Sequence, residues 1–454
     1  MESVNPATGR KIKSYQETSL PEADLMIQQA QKSFEGWKKL SFIERGQKMK
    51  KASAILLENK EKYARLMANE MGKPFSQGKA EIEKCAWACN FYAKEAKNYL
   101  ASELVKTEAR KSFICYEPLG IILAIMPWNF PFWQVFRCAA PTLMAGNAII
   151  LKHASNVCGC ALAIEDVFKK AGFPKGLFRS ALIPSKDVKR LIQHPYIQAV
   201  TLTGSTQAGQ KVAAQAGEVV KKCVLELGGS DPYIILEDAD LERSVESCVA
   251  SRLNNAGQSC VAAKRFIVVE SIFKRFTEKF VEKMDLHKMG KPLDKKVTLG
   301  PLARHDLRDQ LHKQVVESIE KGAQLLLGGL IPDDPGAFYP PTVLINVKPG
   351  MPAYHEELFG PVASVIKAVD EEEAIHIAND TPFGLGSGVF TQNLKRGERI
   401  AVQEIRAGSC FVNDYVKSDP RLPFGGIKQS GYGRELSGFG IREFVNIKTI
   451  CIND

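Results

Sequence analysis

Several common signatures are missing from this chain of 454 residues. No G-x-G-x-x-G follows a predicted strand, so the usual dinucleotide-binding fingerprint is absent. The formal net charge is +10, yet no segment combines a dense lysine and arginine run with aromatic residues, and we expect no nucleic-acid partner. A mild positive excess of this kind can instead steer a small anionic substrate.

Uninterrupted apolar segments of membrane-spanning type are also missing. The longest charge-free run, residues 118–136, contains internal prolines together with Asn129 and Gln134, so we expect no membrane contact. The N-terminal stretch MESVNPATGRKIKSY has no apolar centre typical of a signal peptide. These features predict a cytoplasmic protein.

The eleven cysteines lack the spacing of a disulfide framework or a metal site. The closest pairs, Cys158 with Cys160 and Cys85 with Cys89, have no histidine or cysteine cluster at zinc spacing nearby. We therefore expect no metal, a reducing compartment, and mostly buried thiols that pack as small hydrophobic groups.

What the chain does contain is an alternation of apolar runs with amphipathic segments. Helical periodicity covers residues 21–37, 43–70 and 77–100, and candidate strands then follow from residue 121 to residue 412 with helices between several of them. A chain of this length exceeds one ordinary core. We predict an α/β fold of two doubly wound, Rossmann-like parallel-sheet domains that meet near residues 227–240.

Three short motifs carry groups suited to covalent chemistry. NNAGQSC, residues 254–260, surrounds Cys260 with small polar residues, as a nucleophilic thiol requires. LELGG, residues 225–229, ends an apolar strand with Glu226, which is either a general base of raised pKa or the partner of a lysine. PWNFP, residues 127–131, fixes Asn129 between prolines, as an oxyanion donor or as a cap for buried backbone.

A fourth motif, LTGSTQAG at residues 202–209, joins a strand to a helix at Gly204 and Ser205. The backbone N–H groups of that helix start could bind a phosphate, or Ser205 could serve only as an N-cap. Cys260 falls in the second predicted domain and Glu226 at the end of the first. The two groups would therefore meet at a domain junction, where clefts form.

Together these motifs resemble the aldehyde dehydrogenase superfamily over essentially the whole chain. PWNFP, TGST, LELGG, GQSC, EELFGP (356–361) and PFGGIKQSGYGRE (423–435) occur in the family's order and at its distances. LKHASN, ELGGSDP and AAKRFI further resemble the bacterial succinate-semialdehyde dehydrogenases. The resemblance implies that Cys260 attacks an aldehyde, that Asn129 and the Cys260 N–H hold the oxyanion, and that Glu226 activates the water that hydrolyses the thioester.

NAD or NADP is the cofactor that the resemblance implies. Its expected binding residues are Trp128, Lys152, Ser155, Gly204, Ser205, Glu357 and Phe359. NAD-preferring relatives often hold a glutamate at the position of Ser155, where it accepts from the ribose 2′-hydroxyl. Because Ser155 leaves room for a 2′-phosphate and Lys152 could supply charge, NADP should be accepted.

The resemblance also identifies candidates for a substrate carboxylate. They are Arg137 after PWNFP and Ser418 before PFGG, while a second arginine of many such enzymes is replaced by Asn254. We expect Arg421, in preference to Arg252, to take over its role. The leading hypothesis is oxidation of succinic or a similar short semialdehyde; the alternatives are a broad-specificity aliphatic or aromatic aldehyde dehydrogenase and a catalytically inactive structural or binding protein.

The family fold implies a division of the chain. Residues 1–100 and 119–226 would form the dinucleotide-binding domain, 227–425 the catalytic domain, and 101–118 with 442–454 an oligomerisation arm. KSFICYEP and EFVNIKTICI alternate as exposed strands that pair across subunits, which predicts a homodimer or homotetramer. Ala262 occupies the place of a second cysteine found in some relatives, so we predict no disulfide with the nucleophile.

Overall fold

Two separate parallel sheets organise the chain, which a computed structural model describes from residue 1 to residue 454. Helices cover both sheets, and a third, antiparallel sheet of three strands stands apart from them. The predicted α/β class is confirmed. None of the helices combines the length and the apolar character needed to cross a membrane.

The α-helices span Leu20–Trp37 (α1), Phe42–Glu58 (α2), Lys60–Met71 (α3), Phe75–Tyr99 (α4), Trp133–Met144 (α5), Cys158–Lys170 (α6), Val188–Gln193 (α7), Thr206–Gly217 (α8), Leu241–Leu253 (α9), Glu270–Asp285 (α10), His305–Glu320 (α11), Pro352–His355 (α12), Glu371–Asn379 (α13), Leu394–Arg399 (α14) and Ser437–Arg442 (α15). The strands span Glu2–Val4 (β1), Lys11–Ser14 (β2), Glu103–Leu104 (β3), Lys111–Pro118 (β4), Ile121–Met126 (β5), Ala148–His153 (β6), Phe178–Ser180 (β7), Ile197–Thr203 (β8), Lys222–Glu226 (β9), Asp231–Ile235 (β10), Ala263–Val269 (β11), Gln324–Leu327 (β12), Thr342–Ile345 (β13), Val362–Ala368 (β14), Gly386–Phe390 (β15), Ser409–Val412 (β16), Gly431–Tyr432 (β17) and Val445–Ile452 (β18).

The first sheet has the strand order β17-β9-β8-β5-β6-β7. All its neighbours are parallel except the short β17, which runs antiparallel to β9. β5 and β6 are buried nearly throughout because helices cover both faces, and this explains their continuous apolar sequences, IILAIM and AIILKH. Glu226 is the last residue of β9, and it lies opposite Gly431 of β17.

The second sheet has the order β12-β13-β14-β11-β10-β15-β16 and is parallel except for the β12–β13 pair. Its central strands, β10 and β11, are fully buried. The nucleophile motif, residues 254–260, lies between α9 and β11, at the amino end of this central strand. The loop that holds Cys260 thus leads into a fully buried central strand of the second sheet.

The small antiparallel sheet has the order β18-β4-β3, with β18 and β4 paired over eight residues. β18 is exposed along most of its length, and β4 is only partly buried. This sheet therefore presents apolar side chains such as Ile447, which is 61% exposed, to the surroundings of the chain.

Two separate hydrophobic cores underlie the two large sheets. The first core includes Phe424, Leu436 and Phe444, so the chain returns to the first unit after passing through the second. Several strands predicted from the sequence, among them 121–126, 362–368 and 409–412, are confirmed. The helix predicted over 43–70 is wrong as a single element, because Asn59 ends α2 with a backbone outside the helical region and α3 begins anew.

Candidate active site

A sharp turn positions Cys260 after the end of α9. Asn255, Ala256 and Gly257 all have positive φ angles, of 54°, 54° and 73°. A Cβ atom on Gly257 would lie 2.2 Å from the carbonyl oxygen of Gly360, so only glycine fits there. The turn thereby brings the nucleophile loop against the EELFGP motif of residues 356–361.

Hydrogen bonds join the nucleophile loop to the PWNFP loop of the first unit. Asn255 donates from Nδ2 to the carbonyl oxygens of Asn129, at 2.7 Å, and Gln258, at 3.1 Å. The Asn129 side chain is buried and donates from Nδ2 to the Gln258 carbonyl at 3.1 Å. Because an amide NH₂ group carries two hydrogens, Asn129 retains one N–H for a further acceptor.

The Cys260 thiol is held in its protonated form at neutral pH. The residue keeps some exposed surface, but burial of the thiol raises its pKa to about 12. The positive charges of Arg137 and Lys264 act in the opposite direction, whereas Glu357 and Glu226 add to the rise. The thiol therefore needs a base to become a nucleophile.

Glu226 provides an unpartnered carboxyl group in the same region. It is 2% exposed, and neither of its carboxyl oxygens has a hydrogen-bond partner. Burial raises its pKa well above the ordinary value; the charge of Arg137 opposes the rise, and Glu435 adds to it. A Cβ atom on Gly425 would lie 2.8 Å from Glu226 Oε1, so this glycine keeps space beside the carboxyl group. Of the two interpretations of Glu226, the lysine partner is wrong, because no salt bridge forms there.

Arg137 is engaged by groups of the protein itself. Its guanidinium forms an ion pair with Glu435 and donates from Nη2 to Thr203 Oγ1 at 3.2 Å. It also lies 4.6 Å from the centre of the Phe424 ring. Arg137 is buried and influences the pKa of both Cys260 and Glu226, but Glu435 already balances its charge.

Lys264 is a buried residue of the site that sequence reasoning missed. Its Nζ donates to the carbonyl oxygens of Ser259, at 2.9 Å, and Cys260, at 2.7 Å, and lies 3.2 Å from Glu357 Oε1. Glu357 also accepts from the Gly229 N–H at 3.1 Å. The sequence feature that could have identified Lys264 is its position inside the apolar strand sequence AAKRFI, because a charge in a buried strand requires buried partners.

The next four predicted cofactor residues form two groups, one of which combines a residue that follows β5 with a residue of the loop before β14. Trp128 and Phe359 face each other edge to face, with ring centres 5.8 Å apart. Gly204 and Ser205 join β8 to α8, and the Ser205 hydroxyl accepts from the Ala208 N–H at 3.3 Å. The N-cap interpretation of Ser205 is thus confirmed, and the first-turn amides of α8 that it does not cap still offer donors for an anion.

The surroundings of Lys152 fit an additional phosphate group. Lys152 is buried at the end of β6, burial lowers its pKa, and its Nζ meets only the Ser185 hydroxyl, at 3.5 Å. Ser155 is exposed three residues further on. A cation without a carboxylate beside it suits the 2′-phosphate of NADP, so the residues present fit this dinucleotide.

The expected substrate residues Ser418 and Arg421 each have partners within the protein. Ser418 accepts hydrogen bonds from Lys84 Nζ at 2.8 Å and Trp133 Nε1 at 3.2 Å. Arg421 is exposed and bound by both oxygens of Asp419, which leaves it no unbalanced charge for a substrate.

The structure also shows the surroundings of Asn254 and Arg252, the other two positions considered for the second arginine. Asn254 is exposed. Arg252 is fully buried and donates from Nη2 to the Gly257 carbonyl oxygen at 2.6 Å. Arg252 therefore stabilises the nucleophile loop from inside the second unit, and its burial leaves it no exposed surface for a substrate.

A buried thiol, an unpartnered carboxyl group and an amide donor thus converge between two α/β units, which is the set of groups that covalent catalysis by cysteine requires. Residues 1–450 match the model of the aldehyde dehydrogenase family, and the chain belongs to this family.

The names of several relatives of the chain specify a narrower activity than that of the family as a whole. The chain is 49% identical over 450 residues to a Synechocystis protein named "Probable succinate-semialdehyde dehydrogenase (NADP(+))", with 99% of each chain covered. It is 47% identical over 448 residues to the succinate semialdehyde dehydrogenase (NAD(P)+) Sad of Escherichia coli K12, covering 99% of this chain and 97% of the relative. The crystal structure of succinic semialdehyde dehydrogenase from Streptococcus pyogenes with NADP+ superimposes with a TM-score of 0.98, at 36% identity and with 100% of both chains covered.

Proposed function

We propose that the chain oxidises succinic semialdehyde, or a similar short semialdehyde, to the carboxylic acid with NAD+ or NADP+. The observation that carries the proposal is the convergence of Cys260, Glu226 and Asn129 from three separate parts of the chain. The activity in the names of its relatives supports the choice of substrate. An intact set of three reactive groups argues against an inactive structural protein.

The first step is attack of Cys260 Sγ on the aldehyde carbon. Because the pKa of the thiol is raised to about 12, its proton must pass to a base as the carbon–sulfur bond forms. Glu226 is suited to be this base, since both of its oxygens are unpartnered and its raised pKa favours proton uptake. The carbonyl electron pair moves to oxygen, where the spare Asn129 N–H and the Cys260 backbone N–H stabilise the negative charge.

The second step converts the sulfur-bound carbon to the acid. NAD+ or NADP+, when bound, accepts the hydride that leaves this carbon. Glu226 first releases to solvent the proton that it took from Cys260. It then takes up a proton from the water that attacks the resulting thioester, and the Cys260 thiolate departs as the carboxylic acid forms. Lys264 supports the leaving thiolate because its positive charge lowers the pKa of Cys260.

The positions of these groups indicate which part of the chain binds the dinucleotide and which part carries out catalysis. We assign dinucleotide binding to residues 1–100 and 119–226, which carry Trp128, Lys152, Ser155, Gly204 and Ser205. We assign catalysis to residues 227–425, which carry the nucleophile together with Glu357 and Phe359. The absence of a carboxylate near Lys152 supports acceptance of NADP.

We further assign a homodimer or homotetramer in the cytoplasm. Residues 101–118 and 442–454 would form the assembly arm, which the exposed strand β18 supports. All eleven cysteines are free.

The test is steady-state oxidation of succinic semialdehyde and of butyraldehyde, its uncharged analogue, with NAD+ and NADP+ in turn. We expect kcat/KM to favour the semialdehyde by about a hundredfold, on the order of 3 kcal/mol. Nearly equal values would support the broad-specificity aldehyde dehydrogenase instead. No turnover of either substrate with either dinucleotide would contradict the proposal altogether.

A further inference from the structure

A half-buried lysine lies beside the serine expected to bind substrate. Lys84, on α4, donates from Nζ to the Ser418 hydroxyl at 2.8 Å, and its Nζ lies 4.5 Å from the centre of the Trp133 ring. Burial, followed by the charge of Arg137, lowers the pKa of Lys84 to about 8. The ammonium group is therefore held where water stabilises it poorly.

No carboxylate of the chain balances this charge. No carboxylate oxygen lies within 4.0 Å of Lys84 Nζ. Of the two nearby acids, Glu81 pairs with Lys73, and Asp419 accepts two hydrogen bonds from the Arg421 guanidinium, at 2.9 and 2.6 Å, and a third from the Arg421 backbone N–H. The charges of Glu81 and Asp419 raise the pKa of Lys84, but less than burial and Arg137 lower it, and neither acid forms an ion pair with it.

Arg137 links this lysine to the reactive thiol. Its charge lowers the pKa of both Lys84 and Cys260, so the guanidinium lies within electrostatic range of each. Two neighbouring cations repel each other, and an anion bound beside them removes that repulsion. Trp133, which faces Lys84, is the first residue of α5 and stands two positions after PWNFP, so the lysine also adjoins the PWNFP loop.

The other cations considered for this role are engaged elsewhere. Arg252 is directed to the Gly257 carbonyl, and Arg421 is bound to Asp419 on the surface. Lys84 has neither restriction. An ammonium group and a hydroxyl group side by side can both donate to one carboxylate, and such charge-assisted hydrogen bonds are stronger than neutral ones.

We propose that Lys84 is a specificity-determining residue whose ammonium, together with the Ser418 hydroxyl, binds the carboxylate of a short aldehyde acid in place of the arginine missing at Asn254. The inference rests on the proposed function, because it names the group that would recognise the acidic end of that substrate. It assigns selectivity to a residue that takes no part in the covalent steps.

The experiment compares Lys84→Met with Lys79→Met at saturating NADP+. Lys79 is the matched control, since it lies on the same helix with its Nζ 5.3 Å from the Phe75 ring centre. For Lys84→Met we expect kcat/KM for succinic semialdehyde to fall about tenfold or more, through KM, with butyraldehyde changed less than about twofold. Inhibition of Lys84→Met by succinate should weaken to a similar extent. Lys84→Arg should recover part of the lost kcat/KM, and Lys79→Met should have the kinetics of the wild type.

The outcomes separate this inference from the proposed function. If Lys84→Met keeps the wild-type preference for the semialdehyde, Lys84 does not bind the carboxylate, although the proposed function stands. An equal fall for both aldehydes would show a structural role and would likewise overturn the inference. A wild-type enzyme without any preference would overturn the choice of substrate itself, and the role of Lys84 with it.

Discussion

At the residue scale, the site consists mainly of ionisable side chains whose burial disfavours their charged forms. The Cys260 thiol and the Glu226 carboxyl group both have raised pKa values because burial disfavours their charged forms. Arg137, paired with Glu435, opposes the rise for both groups, and Lys264, paired with Glu357, opposes it for Cys260. The thiol is therefore protonated at rest, and the raised pKa of the Glu226 carboxyl group suits it to accept that proton, while cations beside the two groups stabilise the charges that appear during the reaction.

Replacement of Glu226 should separate activity from stability. We expect Glu226→Gln to lower kcat by about 10²–10⁴-fold, because an amide cannot act as a general base. The folded protein binds the Glu226 proton more tightly than the unfolded chain, whose pKa is close to 4.5, so the wild type loses stability as pH rises above that value. The amide of Glu226→Gln does not titrate, so the variant should unfold at a higher temperature than the wild type at pH 7.

The measurement is kcat together with thermal unfolding at pH 7 and pH 4. The advantage of Glu226→Gln in Tm should shrink towards pH 4, where the wild-type carboxyl group is protonated in both states. Glu398→Gln is the control, since Glu398 is exposed. Unchanged activity with an unchanged Tm would contradict the assignment of Glu226 as a buried base.

At the scale of elements, long-range contacts hold the PWNFP loop in place. Glu81 of α4 is buried, forms an ion pair with Lys73, and accepts from the N–H groups of Phe132 and Trp133, both at 2.9 Å. These two N–H groups stand at the start of α5, directly after PWNFP. The carboxylate therefore satisfies amides that have no partner in the helix and fixes the loop that carries Asn129.

Removal of one partner of this buried pair should be costly. We expect Lys73→Met to destabilise the protein by about 3–5 kcal/mol, because it leaves the Glu81 charge buried without compensation. The double variant Lys73→Met/Glu81→Gln should be less destabilised than the sum of the two single variants. Chemical unfolding of the four proteins measures the coupling, and additive effects would show that the pair contributes no specific stabilisation.

At the scale of the whole molecule, apolar surface remains uncovered on the small antiparallel sheet. Ile447 is 61% exposed on β18, and Leu104 is 79% exposed on β3. The edge strand β16 of the second sheet is also only partly buried. Exposed edges and apolar side chains of this kind invite pairing with another chain.

A charge on this sheet should therefore reduce assembly. We expect the wild type to have the mass of two or four chains in solution, and Ile447→Asp to shift the mass towards that of one chain, since burial of a carboxylate in an interface is unfavourable. Size-exclusion chromatography with light scattering measures the masses. Val220→Asp is the control, because Val220 is 94% exposed but lies in a turn outside the small sheet. A monomeric wild type would rule out the arm as an assembly surface.

The sequence by itself predicted the α/β class, many of the strands and the family resemblance. Apolar periodicity reports which side chains are buried, and short motifs such as PWNFP and GQSC report reactive groups because their spacing is local. It also singled out Cys260, Glu226 and Asn129 as the groups to examine. For these features, the information lies within a few neighbouring residues.

Only the tertiary structure decided which distant charges meet. Lys84 and Ser418 are 334 positions apart, and Lys264 reaches a glutamate of another loop. Arg252 turns inward to the Gly257 carbonyl, and Arg421 turns outward to Asp419. The physical reason is that a buried charge takes the partner that packing brings to it, and neither periodicity nor local spacing specifies a partner hundreds of residues away.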